Sequence, residues 1–285
     1  MARKFSLAYL TTPGVNPMEQ IKMAKEAGYD FVSLRTIPMH LPGEPEFLPQ
    51  KDPKLFEDIK NALKEYDMPL MDIELARIRK DLDINEYKPA FEAAAKLGAT
   101  DVLGSVWTRD RKWYTETAGK VADMAKEFNL KFNIEFLPWA GVRNLQEDIT
   151  LIDDLSRDNV FVMVDTLHAG RAGVTGSELA RTPAKYFNFI HLCDGPAGPA
   201  SADMPNGDPV LDNIKDDLML FTAREGRMYP GEGVMAIADM VKAMPNIPLS
   251  IELPNLKEIE ARGRAGHAAR CLEVAKAYFK ANGID

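Results

Sequence analysis

Four apolar runs in this chain each end in a side chain that can bind a divalent cation. Glu135 lies in Phe-Asn-Ile-Glu-Phe-Leu-Pro, Asp165 in Val-Met-Val-Asp-Thr-Leu-His, His191 in Phe-Ile-His-Leu-Cys-Asp, and Glu252 in Leu-Ser-Ile-Glu-Leu-Pro. A lone ionised carboxylate after such a run is costly to desolvate unless it is paired or metal-bound. Three carboxylates drawn together also repel one another, and a divalent cation removes that conflict. Mixed oxygen and imidazole ligation suits manganese, zinc, cobalt or magnesium, and the residues do not rank them. Taken singly, each residue could instead be a strand-end polar group hydrogen-bonded to a neighbouring loop. The recurrence of such a group at the end of four successive runs favours one shared metal site.

A metal among carboxylates is suited to moving a proton next to a carbonyl. That reaction needs an acid, a base, and stabilisation of the developing enediolate oxygen. A divalent ion supplies the last as a Lewis acid and as a template. The same chemistry can end in epimerisation or isomerisation, or in expulsion of a β-hydroxyl, which would make the protein a lyase.

The elements that must position these residues are short apolar runs alternating with longer amphipathic ones. Strands are expected at Phe5–Leu10, Phe31–Arg35, Leu70–Leu75, Asp101–Trp107, Lys131–Phe136, Val160–Asp165, Phe187–Leu192 and Pro248–Leu253. The first seven starts recur roughly every 30 residues, the length of a strand, a loop and a helix. The last interval is about twice that, so an insertion is expected between the seventh and eighth strands. Asn16-Pro17-Met18-Glu19, Asp52-Pro53 and the Asn144/Glu147 pair read as helix starts, and Gly28 and Gly98 as helix ends. Residues Glu258 to Lys280 read as one long closing helix. Eight β-then-α units fit a closed barrel or a doubly wound sheet. The absence of GxGxxG after the first strand and the strand-end placement of the polar residues favour a single (β/α)8 TIM barrel over residues 1–285.

Composition narrows the function. Lys plus Arg number 35 against 43 Asp plus Glu, a formal charge of -8 that argues against a nucleic-acid backbone as partner. The two cysteines, Cys193 and Cys271, form no CxxC pair, and a reducing, cytoplasmic compartment is expected. No apolar run reaches the ~18–20 residues of a membrane span, and the amino terminus runs into a strand without a signal-like apolar stretch. The expected partner is a small carbohydrate-like molecule. No feature fixes the oligomeric state, and a homo-oligomer is compatible with the outer helices.

The pattern Glu, then Asp-x-x-His, then His, then Glu on the last four strands resembles the xylose isomerase-like TIM barrel superfamily, which includes sugar phosphate isomerases and epimerases. The likeness covers essentially the whole chain, with its motifs between Asn133 and Leu253. It implies that Glu135, Asp165, His191 and Glu252 ligate one divalent ion. It also implies that Glu135 and Glu252 move protons on opposite faces of the substrate, and that His168 contacts a substrate oxygen. Arg227-Met-Tyr-Pro-Gly-Glu-Gly is similar to an Arg-x-x-Pro-Gly stretch whose arginine grips a substrate hydroxyl or carbonyl, although its distance from His191 is longer than in tagatose-type epimerases. The function implied is a metal-dependent isomerase or epimerase acting on a small sugar, sugar derivative or keto-polyol. The alternative is a lyase or dehydratase on a keto-cyclitol, dehydroshikimate-like acid or keto-glycoside. An endonuclease IV-type activity would need several more histidines than the four present. A non-catalytic binding barrel would be expected to have lost some of the ligands.

Around this set, Arg35 and Glu74 end the second and third strands, where they could bind substrate or simply pair with each other, the second being favoured. Trp139 is a candidate pocket wall, Trp107 a weaker one, and Trp113 a core residue. Asp194 could bond a ligand or cap a loop, and Arg171 could take an anion or face solvent. Gly195–Asp208, rich in Pro, Gly and Ala, reads as a mobile lid. His40 and His267 read as surface or helix residues.

Overall fold

The computed structural model describes residues 3–40, 43–198 and 218–284. Eight parallel strands close into a barrel in chain order. They are β1 (Phe5–Leu7), β2 (Phe31–Arg35), β3 (Leu70–Ile78), β4 (Asp101–Val106), β5 (Lys131–Glu135), β6 (Val160–Asp165), β7 (Phe187–Leu192) and β8 (Leu249–Ile251). Closure comes from β1 pairing with β8, with Ser6 opposite Ser250 and Leu7 opposite Ile251. The expected (β/α)8 barrel is therefore present, with helices around it.

The helices are α1 (Pro17–Ala27), α2 (Pro53–Glu65), α3 (Tyr87–Lys96), α4 (Arg111–Glu127), α5 (Leu145–Leu155), α6 (Thr166–Arg171), α7 (Gly176–Arg181), α8 (Leu218–Glu225), α9 (Ile237–Ala243) and α10 (Leu256–Ala281). Their ends follow local rules. The Asn16 side chain accepts from Glu19 N, and that of Asp52 from Lys54 N and Leu55 N, each with proline in the first turn. Asn144 caps Glu147 N, but the Glu147 carboxylate reaches back to Arg143 N instead of Asn144. Gly28 ends α1 at φ 86°, a left-handed conformation that suits glycine.

Strands β2, β6 and β7 keep the boundaries expected from sequence, and the others shift at their ends. β1 stops at Leu7 because Tyr9–Thr11 turns into a 3-10 helix. There the Thr11 hydroxyl donates to Ile251 O at 2.7 Å and accepts from Leu253 N at 2.9 Å. β3 runs on to Ile78 because β4 pairs with it as far as Ile78↔Val106. β8 is only three residues long, so Glu252 stands just beyond its end. The single closing helix is interrupted at Gly263, whose φ of 69° and ψ of 163° are not helical. Between β7 and β8 lie α8 and α9. Residues 199–208 of the expected lid fall outside the described residues.

Successive strand side chains point to opposite faces, so Leu7, Val32, Ile73, Val102, Ile134 and Val164, all buried, pack between the barrel and its helices, while a polar layer crosses the barrel interior. In that layer Ser6 and Ser33 lie 3.1 Å apart through their hydroxyls, and Ser33 donates to Asp72. No helix among the described residues is long and apolar enough to cross a membrane.

Candidate metal centre and pocket

Four side chains converge where β5 to β8 end. Glu135 is the last residue of β5, Asp165 the last of β6, His191 the next to last of β7, and Glu252 follows β8. Strand register does the alignment: Asp165 lies directly across from His191, and His191 from Ser250. All four are buried, and one ligand atom from each lies within 4.8 Å of all the others. Ligand atoms on opposite sides of a zinc-sized ion are separated by about 4.4 Å, twice a metal–oxygen bond, so the four would need to close up only slightly around a divalent cation. Glu135 Oε1 and His191 Nε2 have no hydrogen-bond partner among the described residues. Buried polar atoms left in this way mark a place where a ligand completes the bonding.

Asp165 has a second task. Its Oδ1 caps α6, accepting from Leu167 N at 2.7 Å and His168 N at 3.2 Å. The Asp-x-x-His spacing therefore places His168 one turn above the carboxylate cluster. Its Nε2 lies 3.8 Å from Glu135 Oε1, and its ring meets Trp139 edge-on with centroids 4.9 Å apart. Burial pushes the His168 imidazole down to about 4, so it is neutral near pH 7. Its Nδ1 and the Trp139 indole N–H have no partner among the described residues.

Arg227 enters from the β7–β8 connection. Asp194 and Met228 exchange backbone hydrogen bonds at 2.8 and 2.9 Å, Arg227 N donates to Pro254 O at 3.0 Å, and Asn255 Nδ2 donates to Arg227 O at 2.8 Å. So fixed, its guanidinium pairs with Asp165 and reaches Glu252 Oε2 at 2.7 Å. Asp194 accepts from Gly231 N and Met235 N, which makes it the cap of this loop.

These charges divide the carboxylates. Burial and the neighbouring Glu252 and Asp165 raise Glu135 well above the usual carboxylate range. Burial, the largest single effect, would raise Asp165 and Glu252 too, but Arg227 together with His191 and His168 outweighs it and both are lowered. Burial disfavours the His191 cation, yet Glu252, 3.2 Å from Nδ1, raises it to about 10. Arg227 thus neutralises part of a site with three carboxylates, and a divalent ion would neutralise the rest.

A pocket open to solvent lies over this cluster. Glu135, Glu252, His168 and Arg227 form one side, and Arg35, Glu74, Trp107 and Trp139 also line it. Arg35 and Glu74 are opposite each other in register and pair at 3.2 Å. Arg35 also holds Glu44 at 2.5 Å and stacks over Tyr9 at 4.4 Å. Trp113 packs at the edge of the core. Arg171 is buried within α6 and not solvent-facing. His40 is exposed beside Glu46, whereas His267, on α10, is buried and bonded to Tyr229 and Leu253 O.

Sequence reasoning passed over Arg224, which lines the pocket from the last turn of α8. The signal was present: Arg224 and Arg227 are three residues apart after an apolar run, close to one helical turn.

A closed parallel barrel with its polar cluster at the carboxyl ends of the strands is the arrangement of a TIM-barrel enzyme. The profile of the xylose isomerase-like TIM barrel family matches residues 21–274, and the chain belongs to that family. An inosose isomerase of Bacillus velezensis is 21% identical over 254 residues, covering 83% of this chain and 81% of its own. The structure of the IOLI protein with a zinc atom superposes with a TM-score of 0.77 at 19% identity, covering 97% of this chain and 98% of that one. D-psicose 3-epimerase of Clostridium cellulolyticum H10, solved with D-tagatose, superposes with a TM-score of 0.68 at 15% identity, covering 96% and 99%.

Proposed function

We propose that this chain is a divalent-metal-dependent isomerase or epimerase that moves a proton next to a carbonyl of a small sugar, sugar derivative or keto-polyol. The observation that carries this reading is the convergence of Glu135, Asp165, His191 and Glu252, ligand atoms within 4.8 Å, at the base of a solvent-open pocket. Those four residues would hold the ion. When bound, it polarises the substrate carbonyl and stabilises the negative charge that grows on its oxygen.

The remaining steps belong to the side chains. Glu135 and Glu252 both line the pocket, and each has a carboxylate able to take or return the carbon-bound proton. Their environments differ, since Arg227 and His191 hold Glu252 ionised while Glu135 has no ion pair with Arg227. Two carboxylates pushed apart in this way suit an acid and a base working together. Neutral His168 offers a hydrogen bond to a substrate oxygen, and Trp139 keeps its ring in place. Arg227 orients Asp165 and Glu252 and can reach a substrate oxygen from the pocket wall. Arg35 and Glu74 supply a paired donor and acceptor for hydroxyls farther along.

The test is exchange of substrate α-protons with deuterated solvent, followed by NMR, using metal-loaded protein and a panel of ketoses and inososes together with their acidic and phosphorylated derivatives. Exchange that is lost in Glu135→Gln supports the reading, and no exchange across the panel overturns it. A dehydratase would begin with the same abstraction but form a conjugated enone, visible as new ultraviolet absorbance.

A further inference from the structure

Three arginines line the pocket, and their partners differ. Arg35 is paired with Glu44 and Glu74. Arg227 is paired with Asp165 and Glu252. Arg224, between these two in its electrostatic surroundings, makes no ion pair or hydrogen bond with any described residue, although it is half-buried. We infer that Arg224 binds an oxyanion of the substrate, so that the molecule processed here is an acidic or phosphorylated carbohydrate derivative and not a neutral polyol. This rests on the reading of the pocket as a carbohydrate-derivative site.

The physical argument is one of compensation. A guanidinium partly withdrawn from water gives up some hydration that an acceptor restores, and its planar donors match a carboxylate or phosphate in two-pronged fashion. Hydroxyls of a neutral sugar return less, because they carry no charge. The neighbours reinforce the point. Burial lowers Arg224 to about 10, and Arg35 and Arg77 push in the same direction while Glu44 and Glu252 oppose them only in part. Arg224 remains cationic at neutral pH, with other cations close and no carboxylate of a described residue in direct contact. Arg77 adds to this, since its Nη2 donates to Met39 O at 2.8 Å while Nε and Nη1 find no acceptor among the described residues. The position of Arg224 is also suitable. It stands on a helix that follows β7, above the strand ends, where it faces the pocket together with Leu220 and Ala223. A substrate whose carbonyl lies over the carboxylate cluster would extend its anionic group toward this helix.

Carboxylate and phosphate share this chemistry, and direct binding separates them. Isothermal titration of the metal-loaded protein would use quinate as the cyclic hydroxy-acid probe, inositol 1-phosphate as the phosphate probe and myo-inositol as the neutral reference. The expected result is at least one anionic probe binding ~10-fold or more tighter than myo-inositol. That preference should disappear in Arg224→Gln and persist in part in Arg224→Lys, with the affinity for myo-inositol changing far less than that for the anionic probe. A preference for quinate alone assigns a carboxylate, and for inositol 1-phosphate alone a phosphate. No anion preference in the wild type, or one that survives Arg224→Gln, overturns the inference. Binding is read without turnover, so this outcome is distinct from failure of the proton-exchange experiment.

Discussion

The backbone N–H of His168 donates to Asp165 Oδ1 at 3.2 Å, while the other oxygen of the same carboxylate faces Arg227. Helix start and charged cluster are therefore built on one side chain. Two substitutions at Asp165 should separate these tasks. Asn keeps a side-chain oxygen for the cap and loses the charge, and Ala loses both. Asp165→Asn should be about 1 kcal/mol more stable than Asp165→Ala in urea unfolding, with metal affinity weakened in both. Equal stability of the two would show that the cap contributes nothing.

His168 lines the pocket outside the four convergent residues, and the proposed reading has it touch the substrate. His168→Gln should retain bound metal at the wild-type level and lose about 10²-fold in kcat, the usual scale for one lost transition-state hydrogen bond. Parallel loss of metal and activity would instead place His168 in the ligand set.

Asp72 gives a pH signature independent of catalysis. Burial raises its carboxyl to about 8, partly opposed by the hydrogen bond from Ser33. Folded Asp72 then keeps its proton between about 4 and 8 while the unfolded chain releases it, so the native state loses stability as pH rises through that window. The slope from this one group is up to ~1.4 kcal/mol per pH unit. Asp72→Asn should remove it, so that the mutant gains on wild type in denaturant melts from pH 5 to pH 8. Parallel stability curves across that range would contradict the assignment.

Arg35 holds two carboxylates, the buried Glu74 and the half-buried Glu44. Arg35→Met should destabilise the fold by about 3 kcal/mol in chemical denaturation, because Glu74 would be left buried without its cation. Adding Glu74→Gln should recover part of that loss. No recovery in the double variant would mean the pair is not coupled.

Much of this was legible in the chain because parallel barrel strands are buried on both faces and read as apolar runs with an abrupt polar end. Val160–Asp165 and Phe187–Leu192 show it directly, since the residue types that stop the run are those that build the cluster. The four convergent residues were readable for the same reason. What could not be read depends on contacts between distant segments. Nothing local says that Arg227 will be pinned by Asp194, Met228 and Pro254 onto Asp165 and Glu252. The turn at Tyr9–Thr11 is apolar enough to pass for strand, and its departure is fixed by bonds to residues more than two hundred positions away. Gly263 was visible but sits in a helical pattern that masked the break. Arg224 lies in an insertion without strand periodicity, and its importance emerges only when the other pocket arginines are seen to be paired.

The central claim is that Glu135, Asp165, His191 and Glu252 hold one divalent ion. Elemental mass spectrometry of extensively dialysed wild type and His191→Ala, each reconstituted in turn with manganese, zinc, cobalt and magnesium, tests it most directly. The wild type should retain close to one equivalent of at least one of these metals, and His191→Ala should lose it while staying folded by circular dichroism. Absence of retained metal from the reconstituted wild type, or equal retention in both proteins, would contradict the claim.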